Sequence, residues 1–72
     1  MSNNVTIYMP LLNEGTAVWR PVEAVRQRDG YRVVGPMPEG EAWKFTPGSV
    51  VRCQPRLMSG DTHGLVAVEV AD

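Results

Sequence analysis

A chain of 72 residues, 43% hydrophobic and 21% charged, has room for one small core and lacks the polar, highly charged profile of a disordered segment. Its formal net charge of -1 offers no whole-molecule attraction for nucleic acid or an anionic membrane, so binding to either would need a local patch. Cys53 is the only cysteine, which excludes an intramolecular disulfide and a cysteine-built metal site.

Residues 1–4 lack the basic start of a signal peptide and are expected to be disordered. No apolar run approaches the roughly 20 residues that span a bilayer, so the expectation is a soluble, cytoplasmic protein folded as a single domain over residues 1–72. The first strand is expected over Val5 to Leu12, β-branched and aromatic at its start and closed by turn chemistry at Asn13 and Gly15. A second runs from Ala17 to Arg26. Pro10 and Pro21 donate no ladder hydrogen bond, so each strand must be an edge or bulged at its proline.

Asp29-Gly30 between apolar-rich flanks signals a hairpin into a third strand, Tyr31 to Gly35. Two prolines and two glycines make Gly35 to Gly40 a loop, and the following Glu41 to Phe45 reads as a short strand or a single helical turn. Pro47-Gly48 marks a turn before the strand Ser49 to Met58. There Val51, Cys53 and Leu57 should be buried and Val50, Arg52, Gln54 and Arg56 wet. A turn at Ser59 to Gly64 leads into a last strand, Leu65 to Val70, which should close the sheet.

No segment carries helical apolar spacing over ten or more positions. Short strands separated by Gly/Pro turns predict an all-β protein, a small SH3-like, partly open barrel of about five antiparallel strands. An OB-fold ranks second, because it normally needs a longer chain and a helix between strands.

Two runs carry a resemblance: Glu14-Gly15-Thr16 followed by Trp19-Arg20-Pro21-Val22, and Trp43-x-Phe45-x-Pro47-Gly48-x-Val50-Val51-Arg52-Cys53. In both the chain resembles a set of small uncharacterised bacterial single-domain proteins, and the likeness spans nearly its whole length. Their strand pattern is similar to that of SH3-like barrels, and the resemblance implies that fold and no particular activity. The Pro-Gly-x-Val-Val stretch also resembles strand starts in ribosome- and transcription-associated SH3-like barrels.

Catalytic chemistry has few parts to draw on. His63, the only histidine, sits in a turn with Asp61 and Thr62, residue types chosen there for backbone reasons. Cys53 falls on the expected core face, where a thiol behaves as a small hydrophobe. Scattered carboxylates and one histidine do not converge as metal ligands, and no phosphate-binding glycine loop is present. The expectation is a protein without enzymatic activity, cofactor or metal.

What remains is binding. Six of the seven basic residues are arginines, the type suited to bidentate recognition and to stacking on aromatics. Arg52, Gln54 and Arg56 share one strand face and, joined to a tryptophan, would suit RNA or single-stranded DNA. Against this, eight acids outnumber seven bases, and Glu23, Glu41 and Glu69 are available as ion-pair partners. The favoured expectation is a small adaptor module acting through protein contacts, with Trp19, Arg20, Pro21, Met37, Trp43 and Phe45 as its surface. An immunity-like or accessory protein serving a neighbouring gene product is an alternative, and self-association through a strand edge is open.

In Trp19 to Ala24 the two faces compete. If Val18, Val22 and Ala24 face the core, Arg20 needs a carboxylate partner and Trp19 is a surface anchor; if Trp19 faces inward, the stretch is architecture.

Overall fold

Alternation in the first strand sets the inside and outside of the molecule. Ile7 and Met9 are fully buried and Val5 packs beside them, while Asn4, Thr6 and Tyr8 point to the other face. The computed structural model describes residues 4–58 and 62–71. Its strands are β1 (Asn4–Pro10), β2 (Trp19–Gln27), β3 (Gly30–Val33), β4 (Val50–Leu57) and β5 (His63–Val70), in an all-β, SH3-like small barrel. None of the described residues forms a helix long and apolar enough to cross a membrane. Asn4, expected in a disordered start, is the first residue of β1 and pairs with Val25; residues 1–3 lie outside the described ones.

The ring is closed rather than partly open. Neighbouring strands run antiparallel around the order β1-β2-β3-β4-β5, and the seam is a parallel contact of β1 with β5 at Tyr8 and Val66. With an odd number of strands in a meander, first and last must run in the same direction, so a parallel seam follows from the count. One register pair makes it the thinnest join in the barrel.

At Pro21 the edge reading holds. Register between β1 and β2 is unbroken from Asn4–Val25 to Pro10–Trp19, and β3 joins β2 only from Ala24 onward, leaving Pro21 without a strand on that side. The bulge lies elsewhere, between β4 and β5 at Arg52 and Cys53.

The β2–β3 hairpin forms where Asp29-Gly30 predicts it, shifted by one residue. Arg28 and Asp29 make the turn, and Gly30 already pairs with Gln27 as the first residue of β3. Downstream, Ser49 N–H donates to the Thr46 carbonyl at 3.1 Å across Pro47 and Gly48. Gly48 has φ +94°, the positive value that the third position of a type II turn requires.

Glu41 to Phe45 is neither strand nor helical turn. Trp43 makes one isolated bridge to Leu11, with Leu12 N–H donating to the Ala42 carbonyl at 2.7 Å and Lys44 N–H to the Pro10 carbonyl at 3.0 Å. Period-two geometry without a ladder sends Trp43 and Phe45 inward and Lys44 outward, so a connecting segment supplies the two bulkiest members of the core. Ile7, Met9, Val22, Ala24, Val33, Val51 and Ala67 complete that cluster.

Leu57 departs from its expected face. Val51 is buried and Cys53 half-buried as alternation requires, but Leu57 is 62% exposed. β3 is four residues long and pairs with β4 only at Val50 and Val51, so the rest of β4 leaves the barrel wall with β5 as its one neighbour. Gln54, Pro55, Arg56 and Leu57 are all exposed in this ribbon.

Candidate functional site

The valine face of β2 is the inner one. Val22 and Ala24 are buried, Val18 is half-buried, and Trp19 is 37% exposed on the outer side of the barrel. Arg20 has the carboxylate that this orientation demands: its Nε donates to Glu41 Oε2 at 2.5 Å. The other carboxylate oxygen accepts the indole N–H of Trp43 at 2.8 Å. Glu41 thus ties the connecting segment to β2 and satisfies the one polar atom of a core tryptophan. Glu41→Ala leaves that N–H without its partner and is expected to cost about 1–2 kcal/mol in urea unfolding. Glu41→Gln, which keeps an acceptor for the indole, should cost less than half as much.

Trp19 stands between two open depressions. One, about 280 Å³, is lined by Pro10, Leu11, Leu12, Ala17, Val18, Trp19 and Lys44. The other, about 400 Å³, is lined by Tyr8, Trp19, Met58 and Thr62. Cross-strand register explains the assembly, since Pro10 sits opposite Trp19 and Tyr8 opposite Pro21, all on the outer face. A third depression of about 240 Å³ lies beside Arg20 and Pro21, walled by Val34, Gly35, Pro36, Pro38 and the edge of Trp43.

Of the residues expected to form a contact surface, Trp19, Arg20 and Pro21 are exposed and contiguous. Met37 is exposed too, but lines none of these three depressions. Trp43 and Phe45 are corrected: at 5% and 7% exposure they belong to the core, to which the strands bring one aromatic, the partly buried Tyr31. Tyr8, Met58 and Leu12 were not singled out in the sequence. Tyr8 had a visible signal, its place between the inward residues Ile7 and Met9. Met58 had none, since its position depends on how the β4–β5 ribbon curls.

The arginine face is divided. Arg52, Gln54 and Arg56 are exposed on the outer side of β4 as alternation requires. Arg52 Nη1 donates to Glu69 Oε2 at 2.9 Å, whereas Arg56 makes no ion pair among the described residues. Glu23 accepts a hydrogen bond from Asn4 Nδ2 at 3.2 Å. Trp43 is interior and takes no part in this face, while Trp19 borders its Arg56 end through the depression it shares with Tyr8 and Met58.

For nucleophilic or metal chemistry the parts stay apart. Among the described residues no three of His, Cys, Asp and Glu converge as metal ligands, and His63 is exposed at the start of β5. Asp61, the acid two positions before it, lies outside the described residues. Desolvation pushes the Cys53 thiol up from 9.0 to about 11. A thiol raised in the folded state favours folding fully below pH 9.0, and that contribution fades as pH climbs through about 11. Thermal melts should therefore lose more stability between pH 9 and 11 in the wild type than in Cys53→Ala, and alkylation at neutral pH should be slow until the chain unfolds.

No family model, no curated protein and no solved structure matches this chain.

Proposed function

We propose that this barrel is a small non-catalytic binding module that engages a protein partner through the outer face around Trp19. One observation carries the reading: the exposed Trp19 is the shared wall of two depressions, one of them largely aliphatic. Tryptophan flanked by such hollows is the arrangement of an interface anchor, where large rigid side chains supply most of the binding energy. A cytosolic setting suits a chain with one thiol, and the protonated state of that thiol at neutral pH fits a structural role for it.

Trp19→Ala tests the proposal. The variant should keep the far-ultraviolet circular dichroism of the wild type, lose about 1–2 kcal/mol of stability, and no longer retain partners that wild type captures from its native cell. Capture unchanged by Trp19→Ala would remove the reading.

A further inference from the structure

The rims of the Trp19 surface indicate what kind of segment it takes, an inference that rests on the reading above. Among the described residues no carboxylate lines either depression beside Trp19. Lys44 lines the first, its ammonium 5.6 Å from the centre of the Phe45 ring and in no ion pair among the described residues. Arg56 stands beside the second. It pairs across the ribbon with Gly64, and a Cβ built on Gly64 would lie 2.5 Å from Cε1 of Tyr8, so the Tyr8 ring occupies the space a side chain would fill next to Arg56. Arg20 and Arg52, by contrast, are neutralised by Glu41 and Glu69. Lys44 on the first depression and Arg56 next to the Tyr8 wall of the second are thus the cations near Trp19 without an ion pair among the described residues.

We infer that the occupant is an extended protein segment that places apolar side chains in the two depressions and carries aspartate or glutamate on both flanks. Charge complementarity of this kind steers encounter and excludes basic partners more than it adds affinity. A nucleic acid fits less well. The first depression is aliphatic, the Tyr8 ring is half-buried against Gly64, and two cations are a short electrostatic track for a phosphate backbone.

The experiment is a random-peptide display selection on the intact protein, followed by fluorescence titration of the enriched peptides and of an oligothymidylate. The variants are Trp19→Ala, Lys44→Glu, Arg56→Glu and, as a control in the β2–β3 turn, Arg28→Glu. Enriched peptides should combine aliphatic or aromatic residues with flanking acids. Lys44→Glu and Arg56→Glu should each weaken them roughly three- to tenfold at low salt, less at high salt, with Arg28→Glu neutral. Peptides that need Trp19 but are basic, or indifferent to both reversals, overturn the acidic segment and leave the surface standing. Peptides indifferent to Trp19→Ala overturn the surface itself. No enrichment, or Trp19-dependent binding of oligothymidylate in preference to every peptide, overturns the inference as well.

Discussion

Trp43→Ala is expected to lower stability by about 3–5 kcal/mol, the usual cost of deleting a buried large aromatic. A domain this small has little more than that to lose, so most of the chain should be unfolded at body temperature. The loss has two sources: a cavity in a core whose other buried aromatic is Phe45, and release of Glu41 from its indole contact. Urea unfolding followed by circular dichroism measures it directly, with Trp19→Ala as comparison. Equal losses for the two tryptophans would show that the connecting segment is not part of the core.

Gly30→Ala should cost about 3 kcal/mol, the upper end of the usual overpacking range. A Cβ at Gly30 would stand 2.3 Å from the Val51 carbonyl oxygen and 3.0 Å from its carbon. Both are backbone atoms, which cannot swing away as a side chain does. Relief must come from parting β3 and β4, which share only two register pairs. Hydrogen exchange in β3 should accelerate along with the fall in stability. Gly15→Ala is the control, since nothing lies within 4 Å of a Cβ there. A Gly30→Ala protein as stable as Gly15→Ala would mean the two strands are not so closely apposed.

What was legible in the sequence was what local chemistry decides. Asp29-Gly30 and Pro47-Gly48 mark real turns because few residues accept the backbone angles those turns need. Alternation in β1 separates inside from outside because one face meets a core. Glu41 to Phe45 was opaque for the opposite reason: its conformation is set by the space left inside the barrel, a tertiary quantity that five residues do not encode.

Leu57 failed by the same logic. Period two states which way a side chain points and not whether anything stands there to cover it, and the shortness of β3 uncovers it. For the surface, the sequence posed the right question about Trp19 without the answer. Its orientation is chosen by β2 as a whole, through Val22 and Ala24, and by Glu41 being within reach of Arg20. The electrostatic part was invisible, because which cations stay unpaired depends on register between strands distant in sequence.

The free stretch of β4 bears on how readily a further strand could add to the sheet. From Arg52 to Leu57 no strand of the described residues pairs with one side of this strand, the kind of border on which a second chain can lay down another strand and begin an aggregate. Pro55 sits in the middle of that border in register with Leu65, so its ring nitrogen, which has no hydrogen to give, falls where an incoming backbone would seek a donor. Arg52, Gln54 and Arg56 add bulk and charge around it. A residue that weakens the strand as a strand thus makes its border a poorer template for a further strand.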